Sequence, residues 1–265
     1  MPDTALSPQD IESLERATLD AVCPAAQSEL PGWLLPFDAA DIGRARSAIP
    51  LRHQGLDIAL LPAIEQQYRD HALPPCFRIA DTPGLRHWQE RLLALGYRKT
   101  DPVHVQIASL ADMQTAAGLS TAAPRRGSAS ERPKVTLLDA PADPWASVYT
   151  APGFDAADGA LRVQLLSRSR FALYAYVQSA GTSLAAGTAC ISRDWLSVHG
   201  MRTLPHAQGQ GLGASLLTAF SSLASQHGIQ RAFLQVEANS APALALYRRF
   251  GFATAWTYHY WKAPV

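Results

Sequence analysis

The chain has 265 residues, 48% of them hydrophobic, which is enough for two domains that each bury a core. Its formal net charge of +1 at pH 7 and its lack of a lysine and arginine cluster argue against a nucleic-acid partner. No apolar run approaches membrane-spanning length, and residues 1–17 lack the basic and apolar regions of a signal peptide. Three scattered cysteines, Cys23, Cys76 and Cys190, suit neither a disulfide framework nor a metal site, so we expect a metal-free cytoplasmic protein with no membrane partner.

The first hundred residues alternate between helical and strand patterns. Ser7 has the features of a helix N-cap, with Pro8 at the first helical position, and this helix is predicted to end at Pro24. The other predicted elements are strands at 32–36 and 44–51 that form a hairpin around 38–43, a helix at 56–71, a strand at 76–80, a helix at 85–95 before Gly96, and a strand at 103–107.

Residues 111–134 separate this part from the rest of the chain. They are rich in alanine, serine, glycine and proline, which bury little apolar surface, so we predict a flexible linker. The alternative is a basic patch at Arg125, Arg126 and Arg132, but these basic runs are short and balanced by acids.

The second part begins with a strand-rich pattern. Strands are predicted at 135–139, 171–178, 184–191 and 195–204, and the segments 144–149 and 154–166 are helical or irregular.

A glycine-rich loop follows the last of these strands, in the segment 203–217, TLPHAQGQGLGASLL. Gly209, Gly211 and Gly213 permit unusual backbone angles and a close approach of a ligand to the main chain. Apolar residues at helical spacing begin at Leu212, so the glycines lie at a helix N-terminus, which favours binding of a phosphate. A loose dinucleotide fingerprint also fits, but that motif expects a strand running directly into the first glycine, and residues 205–208 intervene.

A second motif lies at 232–252, AFLQVEANSAPALALYRRFGF. An apolar strand is followed by Pro242, which can open a helix, and the helix is predicted to end at Gly251.

These two motifs resemble those of the GNAT-type N-acetyltransferases. Gln208, Gly211 and Gly213 match the acyl-CoA pyrophosphate loop of that family, and Tyr247 and Gly251 match its Leu-Tyr-x-x-x-Gly-Phe helix end. The resemblance implies an α/β fold with a mixed, mostly antiparallel sheet. In the second half, four antiparallel strands are expected to be followed by helix, strand, helix and strand.

The order of elements before residue 110 parallels the order after residue 135, which we interpret as an internal repeat. Gly96 corresponds to Gly251, and Leu92 stands where the second half has Tyr247. We therefore predict a degenerate GNAT-like domain at 1–110, a linker at 111–134 and a catalytic GNAT domain at 135–265, a tandem arrangement.

The resemblance also implies transfer of an acetyl group from the cosubstrate acetyl-CoA to an amine. The expected coenzyme-binding residues lie on the end of the strand, in the loop and before the last helix, and they are Met201, Thr203, Leu204, Gln208, Gly209, Gln210, Gly211, Leu212, Gly213, Ala214, Asn239 and Ser240. The position usually held by asparagine is Ser240, and Asn239 lies one residue earlier.

Three groups are candidates for the proton transfers. The resemblance places the Tyr247 hydroxyl near the coenzyme sulfur, where it can protonate the leaving thiolate as a general acid. An ammonium must lose a proton before it attacks, and His199, Glu237 or a water can accept that proton. His206 is expected to face solvent or the phosphates.

The amine acceptor is a small molecule or a peptide, and several aromatic or acidic side chains are candidates for holding it. These are Trp145, Tyr149, Phe154, Tyr174, Tyr176, Trp195, Asp155, Asp158 and Asp194, and for the aromatic residues a place in the core is the alternative. We expect a monomer or homodimer. A non-catalytic acyl-CoA-binding or sensing protein is the alternative function, and a nicotinamide-dependent oxidoreductase is a further one.

Overall fold

The computed structural model describes residues 6–40, 42–122 and 134–264. The chain divides into two compact units, and neither is continuous in sequence. The first unit comprises Met1–Gln106, Gln235–Ser240 and Thr254–Val265, and the second unit comprises Ile107–Leu234 and Ala241–Ala253.

The first unit combines helices with two sheets. Its elements are α1 (Pro8–Val22), β1 (Ala26–Leu30), β2 (Trp33–Phe37), β3 (Ile49–Pro50), α2 (Leu61–Asp70), β4 (Cys76–Ala80), α3 (Arg86–Ala94), β5 (Arg98–Lys99), most of β6 (Val103–Ser109), the end of β11 (Arg231–Glu237) and nearly all of β12 (Ala253–Lys262). The small sheet has the order β1-β2-β3, and in the larger sheet β12 lies between β4 and β6.

Helix α1 begins where the sequence predicts. The Asp10 amide donates to Ser7 Oγ at 3.1 Å, and the Ser7 amide donates to Asp10 Oδ2 at 3.1 Å, which forms a capping box. The helix ends at Cys23, whose φ is 42°.

The predicted pairing of residues 32–36 with 44–51 is partly correct, because β2 pairs antiparallel with β3 through Trp33 with Pro50 and Leu34 with Ile49. Strand β1 pairs with β2 across a turn at Gly32, whose φ is 81°, and only Ile49–Pro50 adds a third strand. Residues 43–45 form a 3₁₀ turn. Strand β1 has the polar sequence AQSEL and is largely exposed. It therefore lacks the alternation of apolar and polar residues from which a strand is predicted.

The predicted linker is incorrect over residues 111–122, because Leu110–Ala122 forms helix α4. Ser109 caps it, since the Asp112 amide donates to Ser109 Oγ at 3.0 Å. Leu110, Met113 and Ala117 form a buried stripe at helical spacing. Alanine is the strongest helix former, so a composition typical of linkers also suits a helix that has one apolar face. The predicted basic residues, Arg125, Arg126 and Arg132, lie outside the described residues.

The second unit contains the predicted mixed sheet. Its elements are α4, β7 (Lys134–Leu138), α5 (Asp143–Ala146), α6 (Ala156–Leu166), β8 (Ala172–Ser179), β9 (Thr182–Ser192), β10 (Trp195–Thr203), α7 (Leu212–Gln226), the start of β11 and α8 (Ala241–Arg249). Strands β7, β8, β9 and β10 are antiparallel neighbours, and β11 is parallel to β10. The predicted α/β class with a mostly antiparallel sheet is confirmed.

A buried polar cluster in the first unit shows why the end of β11 belongs there. Arg78 of β4 is 2% exposed and forms an ion pair with Glu15 of α1. Arg78 Nη1 donates to Gln235 Oε1 at 3.0 Å, and the Tyr258 hydroxyl donates to the same oxygen at 2.9 Å. Buried charges require such partners, so the cluster holds β4, β11, β12 and α1 together.

The two glycines that suggested an internal repeat end their helices in the same way. In α8, the Gly251 amide donates to Arg248 O at 3.1 Å and the Phe252 amide donates to Tyr247 O at 3.1 Å. In α3, the Gly96 and Tyr97 amides bond Leu93 O and Leu92 O, each at 3.0 Å. Both patterns are Schellman motifs with a glycine at φ 80°. Leu92 therefore occupies the position of Tyr247.

Candidate functional site

The loop before α7 has the geometry of an anion site. Gly209 and Gly211 have φ angles of 75° and 79°, and Gly211 is the N-cap of α7 without any side-chain cap. The first helical hydrogen bond runs from the Ser215 amide to Gly211 O at 3.0 Å. The amides of residues 212–214 therefore precede the helical bonding pattern at the positive end of a 15-residue helix.

The three glycines of this loop have different roles. A side chain at Gly209 would meet no protein atom within 4 Å, so the space beside it is open to a ligand. Gly213 has an ordinary helical conformation, contrary to the role predicted for all three glycines. A Cβ there would lie 2.9 Å from Leu246 Cδ2, so this glycine permits α7 to pack closely against α8.

Strand β10 is irregular just before the loop. Its register with β9 shifts between His199, which faces Thr188, and Arg202, which faces Ala186. Gly200 and Met201 therefore oppose the single residue Gly187, which is a β-bulge. The parallel ladder with β11 extends from Trp195 to Val198 of β10 and includes none of the later residues of the strand. This geometry agrees with the predicted opening of the strand at Met201.

Leu204 differs from the expectation that its backbone holds the coenzyme. Its amide donates to Leu184 O at 2.9 Å, and its carbonyl accepts a hydrogen bond from the Ala207 amide at 2.9 Å. Both backbone groups are engaged within the protein, because residues 205–207 form a 3₁₀ turn. The predicted Gln208 amide is engaged in the same way, because it donates to Pro205 O at 3.4 Å, whereas the amides of residues 212–214 precede the helical hydrogen bonds.

Tyr247 and His199 both belong to the second unit. Tyr247 is 8% exposed, and its ring packs against Phe252 at a centroid distance of 5.9 Å. Its neighbour Leu246 lies against Gly213, which joins the helix of Tyr247 to the helix that follows the loop. His199 is 3% exposed, lies immediately before the bulge and contacts Phe233 edge to face. The second unit thus brings together the loop, the bulge and the helix of the predicted general acid.

The remaining predicted residues lie at the end of β11 and just after it, in the first unit. Glu237 and Asn239 are exposed, and the Ser240 amide donates to Glu237 O at 3.0 Å in a turn. Exposure leaves the Glu237 carboxylate and the Asn239 amide accessible to a ligand.

The aromatic candidates for the acceptor pocket divide into two groups. Trp145, Tyr149, Tyr174 and Trp195 are at most 1% exposed and form part of the core of the second unit. Their neighbours Phe154 and Tyr176 are partly exposed. Burial therefore confirms the alternative of a core role for four of the six aromatic residues.

The three acidic candidates for holding the acceptor have different surroundings. Asp155 caps α6, because the Asp158 amide donates to its Oδ1 at 2.8 Å. Hydrogen bonds from Arg162 and Arg202 lower the pKa of Asp158, so its charge already has partners. Asp194 is exposed in the turn between β9 and β10, with a φ of 64°.

Arg202 was not among the predicted site residues. Its Nη1 donates to Tyr149 O at 3.0 Å and its Nη2 to Asp158 Oδ2 at 3.2 Å. Its guanidinium lies 4.4 Å from the centre of the Phe154 ring. Arg202 thus fastens the segment between α5 and α6 to the bulged strand. The available signal was that Arg202 is the one arginine or lysine in strand β10, WLSVHGMRT.

The fold of the second unit, with its bulged strand, glycine loop and helix, is that of a GNAT-type acetyltransferase. A family model described as "Probable histone acetyltransferase Rv0428c C-terminal" matches residues 8–261. The chain therefore belongs to this family of GNAT-type acetyltransferases.

Solved structures share the fold across nearly the whole chain. A GCN5-related N-acetyltransferase from Kribbella flavida has 17% identity and a TM-score of 0.63, and the match covers 96% of each chain. A tandem GNAT protein from the clavulanic acid biosynthesis pathway has 15% identity and a TM-score of 0.62, and the match covers 98% of each chain. These similarities establish the fold, and the second of these structures is itself a tandem GNAT protein.

One curated relative is more similar over a shorter stretch. The mycothiol acetyltransferase of Saccharomonospora viridis is 45% identical over 53 residues, which are 20% of this chain and 17% of that protein. The chain thus aligns with less than a fifth of this relative's length.

In the described ranges, no helix combines the length and apolar character needed to cross a bilayer.

Proposed function

We propose that this protein is an N-acetyltransferase that transfers the acetyl group of acetyl-CoA to a primary amine of a small molecule or peptide by direct attack. The observation that supports this most strongly is the uncapped N-terminus of α7, which two glycines with positive φ precede, beside a bulged strand in the same unit. Such a helix end favours an anion, and a diphosphate fits the open space beside Gly209.

Binding of the coenzyme is assigned mainly to the backbone. The amides of residues 209–214 would hold the diphosphate, and Met201 and Thr203 would hold the pantetheine arm. Asn239 and Ser240 offer further hydrogen bonds to that arm. The Met201 amide, next to the bulge, is our candidate for the donor that polarises the thioester carbonyl, a contribution that is often large in acyl transfer.

The reaction requires three proton transfers besides the bond exchange, because the nitrogen of an ammonium loses two protons and the departing sulfur gains one. The amine nitrogen attacks the thioester carbon, and the carbon–sulfur bond breaks as the amide forms. Tyr247 donates its proton to the departing thiolate and is reprotonated by the proton that the nitrogen loses as the amide forms. The ammonium proton passes to His199, to Glu237 or to a water; His199 is 3% exposed, and Glu237 is exposed.

Ligand titration followed by an amine screen tests this function. Acetyl-CoA and CoA are expected to raise the melting temperature, and NAD is not, because NAD carries a diphosphate but has no pantetheine arm to bind along the end of β10. A panel of small amines, amino-acid derivatives and lysine-containing peptides should then identify an acceptor through release of free thiol. Protection by NAD alone, or by none of these ligands, would contradict the proposal.

A non-catalytic acyl-CoA-binding or sensing role is the second candidate. The observation that favours it is Leu92, which takes the place of Tyr247 at the equivalent helix end of the first unit. We interpret the first unit as a degenerate GNAT-like domain on that basis. Binding of acetyl-CoA without thiol release for any amine would favour this second role for the whole protein.

A further inference from the structure

The bulge in β10 receives two hydrogen bonds from one short aromatic segment. Tyr149 Oη donates to Gly200 O at 2.7 Å, and Trp145 Nε1 donates to Gly187 O at 3.1 Å. Gly200 is a bulge residue and Gly187 lies opposite on β9. The two donors are four residues apart and their rings are 5.0 Å apart, so one turn of chain supplies a donor to each strand.

This arrangement is closely packed. Trp145 and Tyr149 are both 0% exposed. A Cβ at Gly200 would lie 2.8 Å from Tyr149 Oη and 2.7 Å from Leu166 Cδ1, so the hydroxyl can approach only because Gly200 has no side chain. Burial raises the pKa of Tyr149, which keeps its hydroxyl protonated and able to donate.

The direction of the Gly200 carbonyl determines the direction of the next amide. The described residues contain no cis peptide bond, so the Gly200 carbonyl and the Met201 N–H point in opposite directions in one rigid plane. A hydrogen bond that draws the carbonyl toward Tyr149 therefore turns the Met201 N–H away from Tyr149. Met201 is the residue whose amide we assigned to the thioester.

We propose that Tyr149 and Trp145 are positioning residues for acyl transfer, which hold the Gly200–Met201 peptide plane so that the Met201 N–H is aimed at the thioester carbonyl. This inference rests on the proposed function. It extends that function to two buried aromatic residues that do not line an acceptor pocket. Their role is to help stabilise the negative charge that develops on the thioester oxygen.

The test compares two buried tyrosines that both pack against Trp145 but bind different carbonyls. Tyr149→Phe removes the donor to the bulge. Tyr174→Phe removes an equally buried donor, 1% exposed, which bonds Leu166 O at 2.9 Å at the end of α6. Both variants lose one buried hydrogen bond, and only the first changes the bulge.

We expect Tyr149→Phe to lower kcat by about tenfold to a hundredfold, since a misdirected oxyanion donor has effects of this order. Its Kd for acetyl-CoA should change less than about threefold, because the diphosphate loop is untouched. Tyr174→Phe should retain kcat within about threefold. Equal effects of the two variants on kcat would overturn the proposal.

A second readout does not depend on activity. The sequence has three methionines, Met1, Met113 and Met201, so selective ¹⁵N-methionine labelling isolates the Met201 amide signal, which Met201→Leu identifies. This signal should move in Tyr149→Phe and stay in place in Tyr174→Phe, with Met113 as the reference. An unmoved Met201 signal would overturn the proposed positioning role of Tyr149 and Trp145 even if the protein proved to be an acetyltransferase.

The two readouts separate the inference from the proposed function. If the wild-type protein neither binds acetyl-CoA nor releases thiol, the proposed function fails, while displacement of the Met201 signal still reports on the peptide plane. If Tyr149→Phe does not fold, Trp145→Phe removes the second donor and is expected to change the same signal and kcat in the same direction.

Discussion

Gly211 combines a positive φ with a position at the N-cap of the helix proposed to bind the diphosphate. Gly211→Asp is expected to abolish detectable acetyl-CoA binding, because it places a negative charge and a side chain where the diphosphate would lie. Isothermal titration calorimetry measures this. Gly228→Asp is the matched control, because Gly228 also has a positive φ, 71°, lies near the other end of α7 and has open space for a side chain. Similar affinities for the two variants would contradict the assignment.

Tyr247 carries a phenolic hydroxyl, whereas Leu92, at the equivalent position of the first unit, has no group that can donate a proton. Tyr247→Phe should lower turnover by about a hundredfold or more, which is typical for the loss of a general acid, and leave acetyl-CoA binding intact. Steady-state kinetics and calorimetry measure the two quantities. Tyr97→Phe, which removes a hydroxyl that bonds Glu65 in the first unit, should leave turnover unchanged. A Tyr247→Phe enzyme with full turnover would remove this residue from the mechanism.

Individual residues also show how far sequence reasoning reaches into the site. The positive φ angles of Gly209 and Gly211 followed from their place before an apolar-periodic helix, because that signal is local. The engagement of the Leu204 backbone and the contacts of Arg202 depend on partners 20 to 53 positions away, Leu184, Tyr149 and Asp158. No local pattern specifies such partners.

At the scale of elements, the two Schellman ends offer a matched pair. Gly96→Ala is expected to cost about 1 to 2 kcal/mol of stability, because alanine disfavours a φ of 80°. A new Cβ there adds no clash, since its nearest atom would be 3.8 Å away. Gly251→Ala is expected to cost about 1 to 3 kcal/mol more, since its Cβ would lie 2.6 Å from Asp112 Cβ on α4. Urea unfolding measures both. Equal costs would show that α4 relaxes without resistance.

Elements with strong periodicity and clear caps were predicted well. Helix α1 and strand β4 agree closely with their predictions because a capping box and a fully buried run are local signals. Helix α4 was missed because its alanine, serine and glycine residues resemble a linker, and its buried stripe has meaning only once α7 lies beside it. The polar edge strand β1 was missed for the same kind of reason.

At the scale of the whole molecule, the first unit is expected to lose stability in acid. Burial, followed by the charge of Arg78, lowers the pKa of His53 to about 4. The unfolded chain binds this proton near pH ~6.5, so the stabilisation is complete above that pH and decreases as the pH falls toward about 4. The loss is at most about 3 kcal/mol for a shift of this size.

The comparison needs a variant that keeps the ring and cannot titrate. His53→Phe preserves the edge contact with Trp256, whose ring centre is 5.0 Å away. Urea unfolding of both proteins at pH 7 and pH 4.5 gives a double difference, and the wild type should lose more stability than the variant. Equal losses would exclude His53 as a source of acid sensitivity.

The path of the chain has a consequence for synthesis. Strand β12 lies between β4 and β6 in the first unit, although it is made last. During translation, a gap therefore remains in the middle of that sheet until residues 253–262 have left the ribosome. A fragment of residues 1–122 is expected to give a hydrogen-exchange pattern without protected β4 and β6 amides, and added peptide 250–265 should restore some protection. Protection in the fragment alone would show that the sheet closes without its last strand.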